Sequence, residues 1–384
     1  MRKSSFLLFF ACVLAGCAAA PKTLAPPEPP LAENLFAPPT ERIDTADLFA
    51  ISAAMNRYLA VDIAHQLRIK GAQEGLIEAL YRRAQLKLEY DAATTKTAAE
   101  AFETRSGNCL ALVIMTAAFA KELKLAVYYQ SAIVGETWSR SGNLLFASGH
   151  VNVTIGQRAM DTGTSREMQR TTIDFLPPED LRGLRTRDIT EATVVAMYAN
   201  NRAAEALARG RLDDAYAWSR EALRVDPDFL TAYNTLGVVY QRHGDRAEAA
   251  RAFAHVLTGD PKDTHALANL AESYAQQGRT AEAAELRARL AEIEAYPPFH
   301  FFNLGLEAMR LSDYRAARDL FAREVARADY YHEFHFWLGL ADWQLGDVGE
   351  ARKHLQLAMD NSTTRGQHDL YAAKLSWLRS HVSQ

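Results

Sequence analysis

The chain of 384 residues has little cysteine and no excess of positive charge. Its three cysteines, Cys12, Cys17 and Cys109, are too few for a disulfide scaffold and lack the paired spacing of a zinc site. The formal charge of −4, from 43 basic and 47 acidic residues, lacks the basic excess that nucleic-acid binding needs. No run of carboxylates has the spacing of a calcium loop. The composition therefore predicts no nucleic-acid partner, no metal and no cofactor, and the length favours two folded units, with three as the alternative.

The N-terminus has the order of a secretory signal peptide. Arg2 and Lys3 precede an uncharged apolar run at 6–14, much shorter than the roughly 20 residues that span a bilayer. The tetrapeptide Leu-Ala-Gly-Cys that ends at Cys17 resembles the lipobox of bacterial lipoproteins. The resemblance implies a lipoprotein signal peptide at 1–16 and acylation of Cys17. The alternative is that Cys17 is an ordinary small residue near a cleavage site.

A lipid on Cys17 implies a membrane-anchored location in the bacterial cell envelope. Ala18 lacks the acidic residue that resembles an inner-membrane retention signal, which favours the outer membrane, facing the periplasm. Cys109 is then the one thiol of the mature chain. An unpaired cysteine in an oxidising compartment is an oxidation liability, so a chemical use for Cys109 is favoured over chance.

Seven of the thirteen prolines lie between Pro21 and Pro39. Such a stretch cannot bury apolar surface and tends to an extended conformation. The sequence therefore predicts a proline-rich tether over 17–41. Apolar residues at helical spacing follow, which predicts helices between 44 and 83.

The second half of the chain repeats with a period of 34 residues. Three kinds of position recur in phase: a small residue where two helices cross, a turn residue, and an alanine. The three series are Ala203, Gly237, Ala271, Gly305 and Gly339; Gly210, Gly244, Gly278, Ser312 and Gly346; and Ala215, Ala249, Ala283, Ala317 and Ala351. Small residues let two helices approach closely, and the turn needs a residue that tolerates unusual dihedral angles.

This pattern resembles the tetratricopeptide repeat. The residues that carry the resemblance are Leu236-Gly237, Tyr240, Phe253 and Pro261. It implies an all-α solenoid of five repeats over 196–365, closed by a capping helix at 366–384. Ser219 and Arg287 stand where this family usually has phenylalanine, so the first and third repeats are degenerate.

The resemblance implies that the first helix of each repeat lines a concave groove. In the fourth and fifth repeats this face is unusually apolar. Its residues are Phe299, Phe302, Leu306, Met309, Phe336, Leu340 and Trp343. An apolar groove of this kind could seat a partner helix or an extended peptide, and these residues are the predicted partner-binding surface for a protein or peptide. The alternative is that the face packs on the capping helix or on the first unit, because large exposed apolar patches are rare.

The candidate chemistry lies before the repeats. Cys109 opens an uncharged run at 109–120, which predicts a buried helix, and Ser106 and Asn108 are both competent N-caps. A thiol at the first turn lies in the positive field of the helix dipole, which favours the thiolate. Residues 125–134 are rich in strand formers and predict a strand.

A second strand is predicted at 150–155, where apolar and polar residues alternate from His150 onward. Gly156-Gln157 predicts a two-residue turn into a returning strand. In that register Asn152 pairs with Asp161, and Asp161 lies diagonally from His150 on the same face. A carboxylate that orients a histidine beside an activated thiol is the arrangement for nucleophilic acyl transfer.

Residues 97–175 resemble the transglutaminase-like superfamily, a branch of the papain-like cysteine enzymes. The match is carried by Cys109 at a helix start, His150 on a later strand and Asp161 some ten residues on. The resemblance implies an α+β domain over 42–190, with Cys109 as nucleophile, His150 as general base and then acid, and Asp161 as the orienting residue. The family also uses an upstream side chain to stabilise the oxyanion, for which Tyr90 is a candidate beside the Cys109 amide.

The sequence thus predicts an envelope-tethered cysteine enzyme that acts on peptide or carboxamide bonds through a thioester. Hydrolysis is favoured over crosslinking, and the repeats would recruit a protein partner. Each residue also has a structural interpretation: Cys109 as a small core residue, His150 as a strand histidine, Asp161 as a turn residue. The rival hypothesis is therefore a non-enzymatic assembly lipoprotein with an inactive first domain.

Overall fold

The structure is a computed structural model that describes residues 31–82, 88–91, 94–141, 144–156, 170–175, 185–296, 299–362 and 365–382. The predicted signal peptide, Cys17, residues 17–30 of the predicted tether and Asp161 lie outside these residues. Each helix of the described part is too short or too polar to cross a bilayer.

The first unit combines short helices with two small sheets. Its helices are α1 (Ala53–Arg57, continued by a π-helical turn, Tyr58–Asp62), α2 (Ala64–Lys70), α3 (Ala72–Ile77, continued by a π-helical turn, Glu78–Arg82), α4 (Ala98–Thr104) and α5 (Cys109–Glu122). Strands β1 (Glu89–Tyr90) and β2 (Ser106–Gly107) pair in parallel. Strands β3 (Ala126–Ser141), β4 (Leu144–Gly156), β5 (Thr171–Ile173) and β6 (Arg185–Ile189) form an antiparallel sheet in the order β5-β4-β3-β6.

Helix α5 is the centre of this unit. It is apolar on every side, and its residues from Leu110 to Ala120 are buried, as expected for a helix covered all round. It packs against α3, α4, β3 and β4. Val151, Val153 and Ile155 of β4 are fully buried as well. The predicted buried helix and the two predicted strands are confirmed, and both strands are longer than predicted.

Helix pairs make up the second half of the chain. They are α6 (Glu191–Ala208) with α7 (Leu212–Val225), α8 (Leu230–His243) with α9 (Arg246–Gly259), α10 (Thr264–Gln276) with α11 (Thr280–Ile293), α12 (His300–Arg310) with α13 (Tyr314–Val325), and α14 (His332–Gln344) with α15 (Val348–Asp360), followed by α16 (Arg365–Val382). The predicted turn residue of every pair has a positive φ, from 59° at Ser312 to 108° at Gly244. The recurring alanine is fully buried in every pair. The 34-residue period therefore marks both the turns and the crossing points of the helices.

The array is divided between α11 and α12. Other successive helices of the array pack against each other, whereas these two scarcely touch. One core of buried side chains runs from the first unit to α11, and a separate core begins at Phe299. Across the division, Arg327, in the turn after α13, donates to the carbonyl oxygen of Tyr296 at 2.6 Å. The first unit and three helix pairs thus form one packed body, and α12–α16 form a second block.

Residues 31–45, which we call the strap, lie across the first two helix pairs. The rings of Phe36 and Tyr216 stack with centroids 4.2 Å apart. Thr40 donates from its amide and its hydroxyl to the buried carboxylate of Asp214, at 2.6 and 2.7 Å. The amide of Ala32 donates to a tyrosine hydroxyl of α8 at 2.9 Å. The tether prediction is therefore corrected over 31–41, because aromatic stacking and charge-assisted hydrogen bonds fix these residues on the solenoid.

Candidate active site and partner surface

Cys109 is the first residue of α5 and is partly exposed. Asn108 caps the helix, since its Oδ1 accepts a hydrogen bond from the Ala111 amide at 2.9 Å. The first turn of α5 contains no acidic residue. The thiol therefore lies at the positive end of the helix dipole, with no opposing charge from its own first turn. The prediction of a capped helix start at Cys109 is confirmed.

The parallel strands β1 and β2 hold Tyr90 beside the start of α5. Tyr90 is the register partner of Gly107, two residues before Cys109. The amide of Asp91 donates to the carbonyl oxygen of Gly107 at 3.1 Å, and Nζ of Lys96 donates to Asp91 at 3.1 Å. These contacts fix the backbone that leads to Cys109 and place the Tyr90 backbone opposite Gly107.

His150 lies in β4, opposite Ala132 of β3. It is the last β4 residue before the register shifts, since the next pair joins Ser148 to Thr137. Irregularities of this kind bend a strand locally. Because α5 packs on β4, Cys109 and His150 belong to two elements in direct contact.

The predicted hairpin register after β4 is wrong. Ile155 pairs with Val127 of β3 and with Thr171 of β5. Both of its edges are occupied, so it cannot pair with Arg158 as the two-residue turn requires. The diagonal placement of Asp161 that followed from this register loses its geometric basis, and Asp161 itself lies outside the described residues.

Asp174 is the carboxylate that the structure shows beside this part of β4. It directly follows β5, and its Oδ2 accepts a hydrogen bond from Nδ2 of Asn152 at 3.4 Å. Asn152 is 3% exposed and lies two positions after His150 in β4. Sequence reasoning missed Asp174, although the β-branched run just before it predicts a strand.

The histidines of the last helix pair are fully or partly buried by packing. Nδ1 of His332 lies 2.7 Å from the hydroxyl of Tyr371, and burial lowers the pKa of His332 to about 4. Nδ1 of His335 lies 3.1 Å from Nδ1 of His354. Burial, followed by the nearby His335, lowers the pKa of His354 to about 4. In the part of the chain that the structure describes, no cluster of histidine, cysteine and carboxylate side chains is arranged to hold a metal ion.

The predicted apolar groove is closed at Phe299 and Phe302. These side chains are 1% and 0% exposed, and their rings contact each other and Phe334 at centroid distances of 5.1 to 5.9 Å. They are the core of the second block, so they do not line an open surface. Leu306 and Met309 are partly buried against the same core.

The rest of that face packs on the last helix. The Phe336 ring contacts Tyr371 of α16 at 5.0 Å, and the Trp343 ring contacts Trp377 of α16 at 5.4 Å. Leu340 is partly buried. Phe336 and Trp343 therefore pack on the capping helix, which is the alternative to a partner-binding surface.

Comparison with known proteins identifies the repeats. Residues 240–295 and residues 302–364 match family models of the tetratricopeptide repeat. The two matches meet where α11 and α12 separate. A comparison with curated protein sequences gave no match.

Several solved structures resemble part of the chain. One is pilF of Pseudomonas aeruginosa, with 19% identity over 48% of this chain and 84% of that chain, and a TM-score of 0.31. Another is YrrB, described as a TPR protein with an unusual peptide-binding site, with 20% identity over 47% of this chain and 92% of that chain, and a TM-score of 0.26. A thermophilic TPR protein of Thermus thermophilus has 18% identity over 47% of this chain and 98% of that chain, and a TM-score of 0.32.

The C-terminal part of the chain therefore contains tetratricopeptide repeats. Repeats of this class indicate binding of a protein or peptide partner.

Proposed function

We propose that the chain is a cysteine hydrolase of the transglutaminase-like type, brought to its substrate by the repeats. The Cys109 thiol gives its proton to His150, and the sulfur attacks the carbonyl carbon of a peptide or carboxamide. The C–N bond breaks as His150 returns the proton to the leaving amine, and a thioester remains on Cys109. Water, deprotonated by His150, then releases the acid and the thiol. A lysine amine in place of water would give a crosslink.

The start of α5 is the observation that carries this proposal. A partly exposed cysteine at a capped helix N-terminus is in the setting that activates a thiol. The helix packs on the strand that contains His150, which supports the pairing of nucleophile and base that acyl transfer needs. Within the described residues, Cys109 has no disulfide partner.

Two groups would serve as donors for the developing oxyanion. One is the backbone amide of Cys109, at the start of the helix. The other is Tyr90, supported by its register position opposite Gly107. For the orienting carboxylate the family resemblance favours Asp161, while Asp174 is the carboxylate observed next to Asn152.

The remaining parts of the proposal concern location. A lipid on Cys17 would anchor the chain in the outer membrane, facing the periplasm. The strap would then start about thirteen residues after the anchor. The repeats would present a protein partner to the first unit, with which the first three helix pairs share one core.

Alkylation of Cys109 in the full chain tests the proposal. Iodoacetamide labelling near neutral pH, quantified by mass spectrometry on the tryptic peptide 106–121, should be fast in the wild type and about tenfold slower in His150→Ala. His65→Ala is the matched control, since His65 is an exposed histidine of the same unit. If His150→Ala reacts at the wild-type rate, the catalytic proposal fails. The repeats then support the rival function, a non-enzymatic scaffold that binds a protein partner.

A further inference from the structure

Asn108, the residue that caps the helix of Cys109, is itself held by a second residue. Its Oδ1 accepts from the Ala111 amide, while its Nδ2 donates to Oγ1 of Thr95 at 2.9 Å. Thr95 is 2% exposed. The cap is therefore held in one orientation by hydrogen bonds at both ends of its amide group.

Thr95 is in turn held by the solenoid. Its amide donates to Oε1 of Glu205, in α6, at 2.6 Å. Glu205 is 110 positions away in sequence, so this contact joins the first unit to the first repeat. Burial raises the pKa of Glu205, and the hydrogen bond from the Thr95 amide and the charge of Arg202 oppose that rise.

The other oxygen of Glu205 connects to the strap. Oε2 of Glu205 accepts from Arg202 at 3.3 Å, and Arg202 also donates to Glu41 at 3.2 Å. Glu41 accepts from the indole nitrogen of Trp218 at 2.6 Å as well. One unbroken series of polar contacts thus runs from the strap through α6 to the N-cap of the nucleophile helix.

We propose that Glu205 is a positioning residue for Cys109, acting through Thr95 and Asn108, so that the first repeat completes the candidate active site. The proposal rests on the proposed function for its catalytic meaning. Its physical content is independent of turnover: the order of the first turn of α5 depends on a carboxylate of the solenoid. The repeats are then a structural part of the site as well as a surface for a partner.

The test compares two carboxylates that are equally accessible. The side chains of Glu205 and Glu221 are each 13% exposed. Glu221 lies on α7 and accepts from the strap residue Thr45 at 2.8 Å, whereas Thr95 donates to Glu205. Glu205→Ala and Glu221→Ala therefore both weaken the attachment of the solenoid, but only the first removes the acceptor of Thr95.

Two measurements on the full chain follow the effect to Cys109. In Glu205→Ala, amide hydrogen exchange in the first turn of α5 should rise about fivefold, the size of a lost N-cap contact. Iodoacetamide alkylation of Cys109 near neutral pH should slow about threefold, because a less ordered helix start favours the thiolate less. Glu205→Gln keeps an acceptor oxygen for the Thr95 amide and should restore most of both values. Glu221→Ala should leave both unchanged.

A coupled variant separates positioning from a general loss of stability. Asn108→Ser keeps a capping oxygen and removes the amide nitrogen that donates to Thr95, so adding Glu205→Ala to it should have little further effect on exchange. Full additivity, or wild-type exchange and alkylation in a folded Glu205→Ala, would overturn the proposal. Failure of the proposed function would give a different result. The alkylation rate of Cys109 would then be the same in His150→Ala as in the wild type, while Glu205→Ala would still raise amide hydrogen exchange in the first turn of α5.

Discussion

Gly237 of α8 lies so close to Phe253 of α9 that a Cβ on the glycine would be 2.5 Å from Cε1 of the ring. The same relation recurs in the second block, where a Cβ on Gly305 of α12 would be 2.5 Å from the ring of Phe321 of α13. In the first and third repeats the ring position holds Ser219 and Arg287, and there the crossing position is alanine. The size of the residue at one position therefore sets the size allowed at the other.

Gly237→Ala should destabilise the solenoid in spite of the better helix propensity of alanine. Propensity favours the change by about 1 kcal/mol, and overpacking costs about 1–3 kcal/mol, so a net loss of about 1 kcal/mol in the free energy of unfolding is expected. Urea unfolding followed by circular dichroism measures it. Gly349→Ala is the matched control, because nothing lies within 4 Å of a Cβ there, and it should be neutral or stabilising.

The fifth repeat suggests the rescue for that variant. It pairs Gly339 with Leu355, where a Cβ would be 3.2 Å from the leucine Cγ, a milder contact. In a Phe253→Leu background, Gly237→Ala should therefore cost clearly less than in the wild type. An equal cost in both backgrounds would show that the ring is not the source of the strain.

Phe302→Ala should unfold or strongly destabilise the second block. The ring is fully buried, and removal of a core phenylalanine costs about 3–5 kcal/mol. Leu304→Ala is the control on the same helix, since Leu304 is 47% exposed and surface changes stay within about 0.5 kcal/mol. Tryptophan fluorescence during urea unfolding reports the block, which holds Trp337, Trp343 and Trp377. If both variants lose the same small amount of unfolding free energy, Phe302 is not a core residue and the partner-surface prediction for it stands.

The sequence predicts local features of this fold well, because the 34-residue period and the N-cap of α5 are properties of neighbouring residues. Contacts between residues that are far apart in the chain are harder to predict from the sequence. A proline-rich stretch has the same composition whether it is free or, as at Phe36, stacked on Tyr216 of a distant helix. An apolar stripe such as Phe336 and Trp343 looks the same whether it faces a partner or α16. The predicted hairpin after β4 is wrong because β5, the strand that pairs with β4, comes from further along the chain than a two-residue turn allows.

Acid should destabilise the second block. The folded-state pKa values of His332 and His354 are lowered to about 4, below the unfolded value of about 6.5. Between these values the unfolded chain binds more protons, so the free energy of unfolding falls as the pH falls. Burial raises the pKa of Asp342 to about 6, which acts in the opposite direction, but one carboxyl opposes two histidines.

Urea midpoints from pH 7 to pH 4 measure that slope. His332→Gln should flatten it, since Gln does not titrate, whereas His368→Gln on the exposed part of α16 should leave it as in the wild type. A slope that is unchanged in His332→Gln would mean that the buried histidine does not drive the acid loss.

Two carboxyl variants decide which residue orients His150. Asp161→Asn should slow alkylation of Cys109 about tenfold, because an oriented, protonated imidazole favours the thiolate. Asp174→Asn should cost about 1 kcal/mol of stability, from its contact with the buried Asn152, and leave the alkylation rate nearly unchanged. The reverse pattern would assign the orienting role to Asp174 and remove it from Asp161.

Cys17→Ala should release the mature chain from membranes. Acyl chains contribute about 0.8 kcal/mol per buried CH₂, and the described helices offer no spanning segment in their place. Detergent-phase partition of samples freed of precursor measures the effect, with Cys109→Ala as a control that should remain in the detergent phase. About thirteen residues separate Cys17 from the strap, and each spans at most about 3.5 Å. The start of the strap would therefore lie within about 45 Å of the lipid surface. A mature Cys17→Ala chain that still enters the detergent phase would contradict the lipobox and this placement together.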